Sequence, residues 1–216
     1  IFIGGSEETV AQMVNRAKAV NSERVVLVGP DIASDDGGTM SAVFAAAAVA
    51  AVIAGNTDPS VPINGAELTL FGAAGKRLSD NEIDQLVRGG VTPIETVGGV
   101  SSPVRGITTK TSSGGAADTT WRELTTILIV DEVIPTIRSA LRTRFARSKN
   151  TAQSRGAIRS QVVLELEEMK SREIVDSYGE VLVSALKSDP TVCLVEFSFT
   201  VAHGLNRIYL TAHITV

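Results

Sequence analysis

Two histidines, one cysteine and an adjacent pair of aspartates are the groups in these 216 residues with the most chemical promise. Nucleophilic catalysis by a hydroxyl or thiol needs a base beside it, most often histidine. Both histidines lie close to the last residue, His203 in an expected turn and His213 on the polar face of the last expected strand. The N-terminal half, where an α/β active site would sit, contains none, so both read as ordinary surface residues and no catalytic residue is assigned. Two histidines ten residues apart, with no Cys or Asp nearby, also make a poor metal pattern. No metal and no cofactor are expected. Asp35 and Asp36 are better placed, in the loop after a strand, where α/β proteins bind ligands. A hydrolase-type enzyme using them is the alternative reading. Against it, Gly29-Pro30-Asp31 is not a phosphate-cradling loop, and no G-x-G-x-x-G or P-loop occurs. Solvated loop charge is favoured.

The basic cluster is the strongest charge feature. Arg138, Arg142, Arg144, Arg147, Lys149, Arg155 and Arg159 follow one another with no acid between them. Arg138 and Arg142 are four apart and share a helix face. A nucleic-acid module would pair such a patch with aromatics in a basic domain. Here only Phe145 is present and the net charge is −4. Binding of nucleic acid through the Arg138–Arg159 cluster is therefore the weaker alternative, and no nucleic-acid partner is expected. Arg138, Arg142, Arg144, Arg147, Arg155 and Arg159 are expected to meet an acidic surface on another subunit, where complementary charge sets register more than affinity. Glu165, Glu167, Glu168, Glu173 and Glu180 are one possible counterpart, and a purely solvated face is the competing reading.

The elements that must position these groups divide into two kinds. Residues 2–5 look like the end of a strand, and Ser6 is a candidate N-cap with Glu7 and Glu8 in the first turn. Val10, Met13, Val14 and Ala17 give that helix its buried stripe, and Asn21 ends it. Residues 24–29 form a short apolar strand of the kind covered on both faces, and 39–54 the next helix. Strand, helix, strand, helix at these lengths predicts a doubly wound α/β layer. Residues 67–71 are a candidate strand. Ser79 with Glu82 fits a capping box, and Gly89-Gly90 stops the helix. Residues 94–97 and 104–109 read as two strands across Gly98-Gly99, and 112–118 as a linker.

After the linker the pattern changes to α+β. Residues 121–148 predict one long helix of roughly 40 Å, bent at Pro135. A second runs over 151–171, burying Val162, Val163, Leu166 and Met169. Val181 and Val183 favour a strand within 177–187, and Ser188-Asp189-Pro190 turns into a closing hairpin over 191–216. In its first arm Cys193, Val195, Phe197, Phe199 and Val201 alternate with polar residues. In its second arm Ile208, Leu210, Ala212, Ile214 and Val216 do the same to the final residue. An open edge of this kind invites another strand.

Composition limits the remaining classes. A single cysteine, Cys193, excludes an internal disulfide and fits a reducing compartment. Residues 37–57 carry no charge, but the Ala- and Val-rich core is short of the roughly 20 strongly apolar residues a bilayer requires, and its flanks are acidic. A helix buried between protein layers is expected, not membrane insertion. The chain starts at Ile1 inside an apolar run with no basic leader, so an N-terminal part of a longer protein is expected to be missing and no signal peptide is visible.

Taken in order, Gly89-Gly90-Val91-Thr92-Pro93-Ile94, Val104-Arg105-Gly106-Ile107-Thr108-Thr109 and Trp121-Arg122-Glu123-Leu124 resemble the contractile tail sheath proteins of bacteriophages and related tail-like machines. The run from Leu128 to Arg138 is similar to the long helix that follows in that family, and residues 205–211 to its terminal strand. The resemblance covers essentially the whole chain. It implies a partial subtilisin-like α/β domain without protease activity over 1–118 and a sheath C-terminal domain over 119–216, ending in a strand-exchange arm of Ile208, Leu210, Ala212, Ile214 and Val216. It also implies hexameric rings of neighbouring sheath subunits around a tail tube protein. Collective contraction would drive the tube through a cell envelope, in a virion tail or phage-derived particle assembled in the host bacterial cytoplasm.

Overall fold

The computed structural model describes residues 1–5, 7–33, 39–68, 77–206 and 211. The chain divides into two compact units. The first holds residues 1–57, 61–127 and the described residues from Gly204 on, and the second holds 58–60 and 128–203.

The first unit runs β1 (Phe2–Gly4), α1 (Val10–Val20), β2 (Val26–Gly29), β3 (Ile32–Ala33), β4 (Thr39–Met40), α2 (Ala42–Gly55), α3 (Asp80–Arg88), β5 (Val91–Val97), β6 (Val100–Pro103), β7 (Ser112–Ser113) and β8 (Ala116–Ala117). Its main sheet has the order β1-β2-β5-β6. β1 and β2 are parallel with Phe2 opposite Val26, β2 and β5 are parallel with Leu27 opposite Val91, and β6 returns antiparallel to β5. All four residues of β2 are buried, as its unbroken apolar run predicts for a strand covered on both faces. On one face Leu27 and Val91 pack with Met13 and Ala17 of α1 and Leu86 of α3. On the other, α2 comes so close that a Cβ at Gly4 would sit 2.3 Å from the Val43 nitrogen. Glycine is the residue that permits this approach. Helices thus flank both faces of a mostly parallel sheet.

Several local expectations need correction. Helix α1 starts at Val10 with Thr9 as N-cap, not at Ser6, which lies outside the described residues. Thr9 and Gln12 close a reciprocal capping box, with Gln12 N donating to Thr9 Oγ1 at 3.3 Å and Thr9 N to Gln12 Oε1 at 2.8 Å. Glu7, at φ 54°, cannot join the helix. The Asn21 stop and the Ser79–Glu82 box form as expected, Asn21 in the left-handed conformation. Residues 104–109 are not the second strand of a hairpin. Gly98 and Gly99 both take positive φ, the two-residue hairpin turn. That turn sets Val97 against Val100 and uses up 100–103 as the partner strand. Residues 112–118, expected as a linker, form the short β7–β8 hairpin. Of the candidate strand 67–71, residues 69–71 lie outside the described residues.

Helix α2 also departs from expectation. Ala42, Ala45, Ala46, Ala48 and Val49 are buried, but Val43 and Phe44 are 58% and 51% exposed. Within this chain the helix is covered on one side only. No described helix is long and apolar enough to cross a membrane.

Helix α4 (Leu124–Phe145) leads into the second unit, followed by α5 (Ala152–Ser171), β9 (Val175–Tyr178), β10 (Leu182–Leu186), β11 (Asp189–Glu196) and β12 (Phe199–Val201). α4 starts after Trp121, not at it, because the backbone of 121–124 is committed elsewhere, as shown below. α5 is capped by Thr151, whose side chain accepts from Ser154 N. Ile129, Val133 and Ile137 of α4 pack with Val162, Leu166 and Met169 of α5, over Ile174, Val175 and Val181. Spacings of three and four make each set a single helix stripe. The strands form two antiparallel pairs, β10–β11 and β9–β12.

The alternation read from 193 to 201 is present as alternating burial. Cys193, Val195, Phe197, Phe199 and Val201 are half-buried, and the residues between them are exposed. Among the described residues its partners are earlier strands, Leu182 opposite Glu196 and Tyr178 opposite Phe199. The expected second arm of the hairpin, residue 211 apart, lies outside the described residues. The turn falls at Lys187-Ser188, so Asp189 and Pro190 belong to β11 rather than to the turn.

Candidate assembly surfaces

The segments quoted above as diagnostic meet in space within the first unit. Thr92 is fully buried, and its hydroxyl both donates to the Ile107 carbonyl (3.0 Å) and accepts from the Ile107 amide (2.9 Å). Residues 106–108 then bond with 121–124. Thr108 N donates to Arg122 O, Leu124 N to Gly106 O, and Thr108 Oγ1 to Trp121 O. Arg105 grips Glu123 with two bonds, Nη2 to Oε1 at 2.5 Å and Nε to Oε2 at 3.3 Å. Gly90, at φ 84°, lets this seam lie against Thr108 and Thr111, since an added Cβ would come within 2.9 Å of Thr111 Cγ2. The motif residues are therefore a structural seam that sets the start of α4.

The strand-end crevice offers little chemistry among the described residues. Asp31 spends both carboxylate oxygens on backbone amides, Oδ1 accepting from Ala42 N at 3.0 Å and Oδ2 from Glu7 N at 2.5 Å. Arg16 is held by Glu8 and the Gly4 carbonyl. Asp31 was missed in the sequence as the acid that pins both loops. Its two partners lie 24 and 11 residues away, so no local signal marked it. Asp35 and Asp36 lie outside the described residues, as does His213. His203 is exposed in a segment without regular structure. Among the described residues no three metal-capable side chains cluster.

The arginines divide into engaged and free. Arg144 donates to Gln161 Oε1, and Gln161 passes a bond on to Glu165. Arg155 is turned back onto the Asn150 carbonyl and side chain, and Asn150 in turn ties to the Pro190 and Val192 carbonyls of β11. Arg159 lies 3.6 Å from Glu180 of the same chain. Tyr178 donates to Glu167, which raises the phenol above its usual range. Arg138, Arg142, Arg147 and Lys149 are exposed and, among the described residues, make no ion pair. The strand-exchange residues Ile208, Leu210, Ala212, Ile214 and Val216 lie outside the described residues.

Comparison with known proteins bears on what such surfaces serve. Residues 116–215 match the family model of the phage tail sheath C-terminal domain. The tail sheath protein of Bacillus phage SP01 is 29% identical over 220 residues, taking in 99% of this chain and 37% of its own length. The sheath of an extracellular contractile injection system, PVC, in its contracted state superposes with a TM-score of 0.73 at 15% identity, over 100% of this chain and 64% of that one. The contracted helical sheath of the anti-feeding prophage gives 0.71 at 13% identity, over 98% and 61%. The sheath tail protein of Desulfitobacterium hafniense gives 0.69 at 14% identity, over 93% and 49%. At these identities the solved structures establish a shared fold. The chain thus spans 37% of the curated relative and about half to two thirds of the solved ones. Over nearly its whole length it is similar to the tail sheath proteins, and its residues 116–215 are similar to the phage tail sheath C-terminal domain.

Proposed function

We propose that the chain is part of a structural subunit of a contractile tail sheath, stacked in hexameric rings around a tail tube protein. Contraction of the rings drives the tube through a cell envelope. The observation that carries this reading is the agreement in fold over 98–100% of the chain with two sheaths in the contracted state. The same likeness supports a structural role over a hydrolase using Asp35 and Asp36 or a nucleic-acid module using the Arg138–Arg159 cluster. On this reading the α/β half, residues 1–118, is a partial subtilisin-like domain without protease activity, and 119–216 is the C-terminal sheath domain. The particle is a virion tail or a phage-derived tail-like device, assembled in the host bacterial cytoplasm.

Residues 208–216 are the connector. Strand addition supplies a row of main-chain hydrogen bonds, and alternate side chains fix the register. Such a link stays joined while the units it connects rotate, so contraction is a switch between two packings of rigid bodies. Deleting 208–216 from the full-length protein is expected to leave soluble monomers and abolish sheath formation, read by sedimentation and electron microscopy. Normal sheaths from the deletion would sink the strand-exchange role.

A further inference from the structure

The first unit carries a cleft of about 500 Å³ lined by α3 and by the motif seam. Its walls include Asp84, Val87 and Arg88 of α3, Arg105 and Arg122 of the seam, and Asn206. Three guanidinium groups meet two acids here. Arg88 Nε is held by Asp84 at 2.7 Å, and Arg105 takes both oxygens of Glu123. Arg122 is the surplus charge. Its Nη2 stands 3.8 Å from Glu123 Oε1, the oxygen that Arg105 already holds at 2.5 Å. Its Nε is buried with no hydrogen-bond partner, and its side chain is 23% exposed.

An unmet buried donor is costly, and native structures resolve it with a partner. Arg122 already lines the cleft, and its contact to Glu123 is long, on an oxygen that Arg105 holds more closely. The Arg122 carbonyl is fixed by Thr108 N at 2.8 Å. The planar fork of a guanidinium matches two coplanar oxygens. Asp84 and Glu123 supply two negative charges against three positive, leaving room for one more anion. With one surplus positive charge the cleft fits a single carboxylate rather than a polyanion, its short apolar stem against Ile83, Val87 and Val104.

We infer that this cleft is a carboxylate-binding site in which Arg122 is the ligand-gripping residue. The carboxylate comes either from a small free acid or from an Asp or Glu side chain of a second copy of this chain. Neither source depends on sheath contraction, so the inference stands or falls apart from that reading.

Butyrate is a suitable probe, followed through the arginine Nε–Hε resonances of the whole chain. The Arg122 signal is expected to shift saturably, with Arg122→Gln weakening binding about tenfold or more. Arg122→Lys keeps the charge but loses the fork and is expected to bind nearly as poorly. Arg138 is not among the lining residues, and Arg138→Gln is expected to bind normally. Thermal melting checks that each variant folds. Self-association that butyrate competes away and Arg122→Gln removes assigns the carboxylate to a second copy. A saturable shift without association assigns it to a small acid. No saturable shift, or an equal response to chloride, overturns the inference.

Discussion

Thr92 satisfies two backbone groups with one hydroxyl at the point where the sheet meets the motif seam. Thr92→Val preserves shape but leaves the Ile107 amide and carbonyl unmet, and we predict a loss of about 1–3 kcal/mol in urea unfolding. A change within about 0.3 kcal/mol, the usual error of additive comparisons, would show that the seam tolerates the defect. A second residue-scale device recurs as Asp-x-Ser/Thr. Asp118 accepts from Thr120 N and Oγ1, Asp189 from Thr191 N and Oγ1, and Asp58 from Ser60 N and Oγ. The side-chain bond from the threonine, followed by its amide, holds Asp118 and Asp189 below the usual carboxylate range. A depressed carboxyl stabilises the fold above its unfolded pKa, and that contribution is lost as pH falls through the folded pKa. NMR titration of the Asp189 carboxyl is expected to give a midpoint below the ordinary value, and Thr191→Ala to move it upward. An Asp189 midpoint at or above the ordinary value would contradict the geometry.

Among the elements, the helices were legible and the strand pairings were not. Ser79 with Glu82 is a signal within one turn, and Val162, Leu166 and Met169 recur at spacings of four and three. All of this is local. The alternation over 193–201 likewise reveals a strand and its buried face, but alternation does not name a partner. The turn into β11, expected at Ser188-Asp189-Pro190, falls at Lys187-Ser188. Helix α2 failed for a related reason. A helix apolar all round suggests cover on every side, yet this chain covers only the face with Ala45, Ala46 and Val49. We predict that Phe44→Ser changes the stability of this chain by no more than about 0.5 kcal/mol. Leu166→Ala, in the core between α4 and α5, is expected to cost about 2–5 kcal/mol. Equal losses in the two melts would contradict the one-sided burial of α2.

At the scale of the molecule, Asp31 and Arg16 are used up in loop architecture, His203 is exposed, and Arg138, Arg142 and Arg147 make up an exposed basic group. Because those three are exposed and form no ion pair among the described residues, reversing them to glutamate is expected to leave the melting temperature unchanged while impairing subunit association. Loss of folding in that variant would show the arginines to be internal supports. The proposal that the protein is a sheath subunit is tested most directly by electron microscopy of the full-length protein expressed alone. Hollow tubes or polysheaths of regular helical repeat are the expected result. A protein that stays monomeric at high concentration, with its terminal residues intact, would contradict it.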